Sequence, residues 1–74
     1  MKLSETKCGA VYVVLRVDGD SRGTIRLRDM GFVPGTHVRR VSEAPSGDPA
    51  EYRLRGYSVI IRRELSELVE VSVL

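Results

Sequence analysis

The sequence contains one cysteine, one histidine and no tryptophan among its 74 residues. Because Cys8 is alone, no disulfide can form within the chain, which fits a reducing compartment. The opening stretch MKLSETKCG lacks the apolar core of a signal peptide. No apolar run approaches the roughly 20 residues that a membrane-spanning helix needs. These absences predict a small cytoplasmic protein.

Motifs for catalysis, nucleotide binding and structural metal sites are also missing. Nucleophilic catalysis needs a base within hydrogen-bonding distance of the nucleophile, and nothing in the sequence links His37 to Cys8. There is no CxxC or HxxxH pair for zinc and no glycine-rich phosphate loop. Cys8, His37, Glu64 and Glu67 leave room only for weak ion binding. We therefore predict that the chain is not an enzyme and has neither a cofactor nor a dedicated metal site.

Lysine is scarce, and arginine provides almost all of the positive charge. Twelve residues are Lys or Arg and ten are Asp or Glu, giving a formal net charge of +2. Only Lys2 and Lys7 are lysines. No block of like charges appears, so a solvated surface of mixed charge is the simplest interpretation.

A nucleic-acid-binding barrel is an alternative that the arginines leave open. Such barrels combine cations with exposed aromatic side chains on which bases stack. Arg53, Arg55 and Tyr57 lie close together, and Arg39 and Arg40 fall on a neighbouring predicted strand. Aromatics are few, however, with three tyrosines and one phenylalanine in the chain. No nucleic-acid partner is expected on this basis.

The hydrophobic pattern predicts about five short strands and two short helical inserts. The first strand, AVYVVLRV, places Val11, Val13, Leu15 and Val17 on one side of a period-two pattern. Further strands are predicted over Thr36 to Val41, with a bulge or bend at Arg40-Val41, in a hairpin around Gly56-Tyr57, and from Val69 to Val73. So many short strands in one small domain bury a core best by curling into a small barrel.

The stretch RLRDMGFVPG, Arg26 to Gly35, predicts a helix end followed by a tight turn. Ser21 is a suitable N-cap for a helix running through Met30, and Gly31 stands where helices commonly end in a left-handed residue. Pro34-Gly35 suits the centre of a type II turn into the next strand. Leu27 and Met30 are predicted to be core residues, with Gly31 conformational. Phe32 and Val33 are candidates for exposed apolar side chains at the turn.

Four segments in the same order resemble the FeoA family, small SH3-like barrels that accompany the ferrous-iron transporter FeoB. They are Cys8-Gly9, RLRDMGFVPG, the loop APSGDP at Ala44 to Pro49, and RGYSVIIRRELSELVEV at Arg55 to Val71. The resemblance covers essentially the whole chain as a single domain, residues 1–74. It implies a mainly β fold, an SH3-like barrel of about five strands with two short helical inserts.

The resemblance also implies a cytoplasmic accessory protein that contacts the nucleotide-binding region of the transporter and modulates transport without binding the iron itself. It would meet the membrane only through that transporter. The expected contact tip comprises Phe32, Val33, Pro34 and Gly35, with Arg26 and Arg28 as a polar rim. The C-terminal barrels of DtxR-type repressors are similar and give a regulatory alternative, although no DNA-binding helical domain is expected here.

Overall fold

The computed structural model describes all 74 residues as five strands and two α-helices. In chain order they are β1 (Val11–Val17), α1 (Arg22–Asp29), β2 (His37–Glu43), β3 (Ala50–Leu54), β4 (Tyr57–Ile61), α2 (Arg63–Ser66) and β5 (Val69–Val73). A 3₁₀ turn at Leu3–Glu5 precedes them and had no counterpart in the sequence prediction. The strands form one antiparallel sheet in the order β4-β3-β2-β1-β5. The predicted five strands and two helical inserts are confirmed.

All five strands contribute to a single core, so the sheet wraps around one cluster as a small barrel does. The cluster contains 13 buried apolar residues: Leu3, Tyr12, Val14, Val17, Leu27, Phe32, Val38, Ala50, Tyr52, Leu54, Ile61, Val69 and Val71. Met30, Val59, Leu65 and Leu68 pack against it while remaining partly exposed. The predicted core positions of Leu27, which is fully buried, and Met30, which borders the cluster, agree with this arrangement.

Strand β1 departs from the predicted alternation. The pairing of β1 with β5 shifts register between Val14 and Arg16, so the strand carries a bulge there. A bulge puts two residues of one strand opposite a single residue of the other, and the faces then exchange. Tyr12, Val14 and Val17 consequently point into the core, whereas Leu15 is exposed. The interpretation that placed Leu15 on one face with Val17 was wrong for this reason.

The bulge predicted at Arg40-Val41 is confirmed by a second register shift, between Arg40 and Ser42 of β2. Arg40 precedes the shift and faces inward by ordinary alternation with the buried Val38, so it is only 7% exposed. Its guanidinium donates to the backbone carbonyls of Ser4 and Thr6, each at 3.1 Å, and to that of Gly47 at 3.0 Å. One buried side chain thus ties the N-terminal turn to the loop between β2 and β3.

The surroundings of Arg40 complete this buried polar site. Its Nε lies 3.3 Å from Oε1 of Glu43 as an ion pair, but the N–H does not point at the oxygen and has no hydrogen-bond acceptor. The guanidinium also lies 5.9 Å from the centre of the Tyr52 ring, within range of a cation–π contact. Burial raises the pKa of the Tyr52 phenol. Because its guanidinium is buried and bonded to three backbone carbonyls, Arg40 is a structural residue.

Helix α1 begins and ends as predicted. The Ser21 hydroxyl accepts a hydrogen bond from the backbone N–H of Thr24 at 3.3 Å, which satisfies one of the free donors of the first turn. Met30 closes the helix, and Gly31 follows with φ +109°. Gly23 faces Leu65, so the glycine that weakens the helix intrinsically also lets α1 and α2 approach closely.

Candidate partner-binding surface

The connection from α1 to β2 is fastened to β1 by backbone hydrogen bonds. The N–H of Thr36 donates to the carbonyl of Val33 at 3.0 Å, closing the turn predicted around Pro34-Gly35. Gly35 has φ +92°, as the second central residue of a type II turn requires. Its N–H donates to the carbonyl of Val14 at 2.8 Å, and the N–H of Val14 donates to the carbonyl of Thr36 at 2.8 Å. The turn is thus held in one conformation.

Phe32 does not lie at the exposed tip that the sequence analysis expected. Its side chain is 0% exposed and belongs to the core cluster. The backbone explains the difference, because the N–H of Phe32 donates to the carbonyl of Leu27 and Gly31 turns the chain back over the barrel. Burying this large aromatic side chain stabilises the barrel by about 2 kcal/mol. The expectation of an exposed Phe32 was wrong, and the tip consists of Val33, Pro34 and Gly35.

The hairpin between β3 and β4 forms a second wall beside this turn. Arg55 and Gly56 both have positive φ, +53° and +86°, which is the type I′ geometry of a two-residue hairpin loop. A Cβ atom on Gly31 would lie 3.0 Å from both Cδ of Arg55 and Oη of Tyr57. The Arg55 and Tyr57 side chains therefore lie close to Gly31, and a larger residue there would push these side-chain ends aside as well as being strained at φ +109°.

An open depression runs between these walls, and we call it the turn groove. It is lined by Val33, Pro34, Gly35, Thr36, His37 and Arg55. Pro34, Gly35, His37 and Arg55 are exposed, and Val33 is half-buried. The structure thus brings three of the predicted contact residues together. Thr36, His37 and Arg55 join them although sequence reasoning had not assigned them to the tip.

The two predicted rim arginines lie elsewhere. Arg28 is exposed and its guanidinium donates to the carbonyl of Val17 at 3.1 Å, at the end of β1. Arg26 is exposed on α1 and makes no side-chain hydrogen bond or ion pair within the chain. Neither lines the turn groove, where Arg55 supplies the positive charge instead. The signal for Arg55 was the Arg-Gly pair between two strands, which marks a hairpin turn.

The outer face of the sheet carries a second group of cations next to the turn groove. Arg39 of β2 lies directly opposite Arg53 of β3, and both side chains are exposed. A shallower depression here is lined by Val11, His37, Val38, Arg39 and Arg53. His37 lines both depressions. Arg40 takes no part in this surface because it is buried, so the arginine-rich face considered for nucleic acid contains one arginine fewer than expected.

Cys8 and His37 share no hydrogen-bonding or strand-pairing partner. The exposed Cys8 thiol contacts Oε1 of Glu43 at 3.6 Å, and the backbone of Cys8 bridges to Arg40. His37 pairs with Val13 on β1. Nowhere do three or more His, Cys, Asp and Glu side chains converge as metal ligands would. Neither helix has the length and apolar character required to cross a bilayer.

A five-stranded antiparallel barrel with two short helices defines a small SH3-like domain. Comparison with known proteins makes the assignment more specific. The family model for the FeoA domain matches residues 1–73. The chain belongs to the FeoA family, as the four sequence segments predicted.

Individual relatives agree with this assignment. A fusion of Fe(2+) transport protein A and the Fe(2+) transporter FeoB from Porphyromonas gingivalis is 42% identical over 76 aligned positions, covering 100% of this chain and 9% of the fusion protein. This chain is thus about a tenth as long as that relative. Iron(II) transport protein A from Clostridium thermocellum is 32% identical with a TM-score of 0.94, covering 100% of this chain and 46% of that one.

A third comparison concerns a crystal structure. FeoA of Stenotrophomonas maltophilia complexed with zinc, described as an SH3 domain protein, is 30% identical with a TM-score of 0.87, and the match covers 97% of this chain and 89% of that one. The SH3-like barrel predicted from the sequence is therefore confirmed.

Proposed function

We propose that this chain is a non-enzymatic cytoplasmic accessory protein of ferrous iron transport that contacts the cytoplasmic nucleotide-binding region of a FeoB-type transporter. The single observation that supports this most strongly is the Porphyromonas gingivalis relative, in which a FeoA domain and FeoB form one polypeptide. Fusion keeps two domains at high effective concentration, which is useful when the domains act on each other.

The turn groove is the surface that we assign to the encounter. Val33 and Pro34 offer apolar atoms, while the exposed side chains of His37 and Arg55 offer hydrogen-bond donors around them. This combination of a small apolar centre and a polar margin is typical of protein interfaces. The backbone hydrogen bonds from Gly35 and to Thr36 fix the turn before a partner arrives, which lowers the entropic cost of binding.

The experiment is a binding titration of the transporter's cytoplasmic domain with wild type and Val33→Asp. The change removes the apolar atoms of Val33 and adds a carboxylate that loses its water when a partner covers the groove, so we expect binding to weaken about tenfold or more. Ile60→Asp is the matched control, since Ile60 is 71% exposed on β4 and lies outside the groove. Circular dichroism would establish that both variants remain folded. Equal affinity of Val33→Asp and wild type would exclude the groove as the contact, and absence of binding by wild type would exclude the proposed function.

A further inference from the structure

We propose that three arginines and a histidine around the turn groove, Arg39, Arg53, Arg55 and His37, form one surface that recognises a carboxylate-rich segment of the partner protein. We call this surface the arginine face. The inference rests on the proposed function for the identity of the partner, while the chemistry of the recognised segment follows from the chain's own charges.

Pairing register places these four side chains together. Arg39 and Arg53 are directly opposite each other in the β2–β3 ladder, a position where Cβ atoms lie about 5 Å apart on the same face of the sheet. His37 is two residues from Arg39 along β2 and so shares that face. Arg55 lies in the hairpin loop after β3, where its φ of +53° takes it out of the strand alternation, and it lines the turn groove together with His37. The four side chains thus meet at His37, which lines both depressions.

These charges are not neutralised within the chain. None of the six ion pairs of the protein includes Arg39, Arg53 or Arg55. The nearest carboxylate along β3 is Glu51, which accepts a hydrogen bond from Ser42 at 2.8 Å. Like charges directly opposite each other in a ladder are unfavourable. Binding of an external anion would therefore reduce the repulsion between Arg39 and Arg53.

The acidic side chains that are paired lie at other places in the chain. Asp18 and Glu70 pair with Lys2, and Glu43 pairs with Arg40. Asp48 accepts a hydrogen bond from the backbone N–H of Arg63 at 2.9 Å. Asp20, Asp29, Glu64 and Glu67 make no ion pair, but they line neither depression of this surface, so no carboxylate of the chain neutralises the guanidinium groups of the arginine face. Guanidinium groups pair with carboxylates through two parallel hydrogen bonds, which suits acidic side chains of a protein partner.

A protein segment fits this face better than a nucleic acid does. Non-specific binding of single strands depends on aromatic side chains that stack with successive bases. The row of residues across β1 to β4 at this level is Val11, Arg39, Arg53 and Ser58, which contains no aromatic residue. Tyr57, at the start of β4, is the one exposed aromatic beside the face. Because the face offers positive charge but no row of aromatic side chains on which bases could stack, it suits the carboxylates of a protein segment better than a nucleic acid.

The test is an NMR titration of the ¹⁵N-labelled full chain with two probes, an oligoglutamate peptide and a single-stranded oligonucleotide of equal charge. We expect oligoglutamate to shift the amide signals of Arg39, Arg53 and their neighbours, and Arg39→Glu/Arg53→Glu to weaken binding about tenfold or more. The control is Arg22→Glu/Arg62→Glu, which changes the net charge equally at two exposed arginines outside the face. Its affinity should stay within about twofold of wild type because those arginines lie outside the recognised surface.

Shifts spread evenly over all exposed arginines, or tighter binding of the oligonucleotide on the same residues, would overturn the inference. Titration with the transporter's cytoplasmic domain separates the two proposals. Binding whose footprint misses the arginine face would overturn this inference and leave the proposed function standing. If oligoglutamate binds the face while the transporter domain does not bind at all, the charge recognition stands and the proposed function fails.

Discussion

A Cβ atom placed on Gly23 of α1 would lie 2.5 Å from Cδ2 of Leu65 in α2. Real Cβ atoms do not approach other carbon atoms so closely, and the two helices can meet here only because residue 23 has no side chain. The glycine carries an intrinsic cost of about 1 kcal/mol in a helix relative to alanine. Contact between the helices offsets that cost.

This contact predicts energetic coupling between the two residues. In wild type, Gly23→Ala should gain little or no stability, because the new methyl group must displace Leu65. In a Leu65→Ala background the space is open, and the same change should stabilise the fold by about 1 kcal/mol. A double-mutant cycle from urea denaturation measures the difference, and strictly additive effects would contradict direct contact.

Phe32 should behave as a core residue. Phe32→Ala removes a side chain that is fully buried, so we expect a loss of about 3–5 kcal/mol in the free energy of unfolding, enough to unfold a marginally stable small domain. Val33→Ala, one residue along and half-buried, should lose about 1 kcal/mol, since it removes fewer buried atoms. Denaturation midpoints of the two variants check this. A loss below 1 kcal/mol for Phe32→Ala would place its side chain outside the core.

The contrast between these neighbours shows where sequence reasoning reaches its limit. Local signals sufficed for the N-cap at Ser21, the helix end at Gly31 and the turn at Pro34-Gly35, because turns and caps depend on a few adjacent residues. Whether Phe32 points inward depends on how the turn is fastened to β1, through contacts distant in sequence. Those contacts are invisible in the local pattern.

The bulge in β1 and the arginine face illustrate the same limit. No turn residue marks the bulge after Val14, which arises from pairing with β5. The neighbouring positions of Arg39 and Arg53 follow from strand register, which no local pattern in the sequence determines residue by residue. The family segments, by contrast, predicted the barrel as a whole.

Arg40 and Arg39 are adjacent in sequence and opposite in environment. Arg40→Met would leave three buried or half-buried backbone carbonyls without their donor, and we expect a loss of about 3 kcal/mol. Arg39→Met removes an exposed side chain and should change stability by less than about 0.5 kcal/mol. Urea denaturation of both variants measures the difference. Equal losses would mean that the forked bonds of Arg40 contribute little.

Lysine at position 40 offers a sharper form of this test. Arg40→Lys keeps the charge, yet an ammonium group cannot reproduce the planar fork that reaches Ser4, Thr6 and Gly47. We expect it to be nearly as destabilising as Arg40→Met. Full recovery of stability by lysine would show that charge, and not hydrogen-bond geometry, is what the site requires.

The free energy of unfolding should fall at low pH because the carboxylates around Lys2 become protonated. A hydrogen bond from Arg16, and then one from Lys2, holds the pKa of Asp18 below its ordinary value of 3.8. The N-terminal amine, and then Lys2, lowers the pKa of Glu70 from 4.5. Depressed carboxyl pKa values contribute stability above the unfolded pKa, and that contribution is lost as pH falls through the folded values. The denaturation midpoint should therefore decline below about pH 4.5.

Glu70→Gln should reduce the decline of the denaturation midpoint at low pH. Glu67→Gln changes an exposed residue outside the network and should leave that decline unchanged. High salt should also reduce this pH dependence, since the groups are partly exposed to solvent and their interactions are screened. Hydrogen bonds with Asp18, and then with Glu70, raise the pKa of Lys2 above 10.5, so its own contribution should disappear only as pH rises past that value. If the midpoint of Glu70→Gln declines at low pH as much as that of wild type, this network does not account for the pH dependence.

The contact at Gly31 has a mechanical consequence for recognition. Because residue 31 has no side chain, the ends of Arg55 and Tyr57 can pack against the backbone there. If the turn groove is the contact surface that we propose, this packing holds its hairpin wall in place before a partner binds. Selection among partners then depends mainly on the shape and charge that a partner already presents.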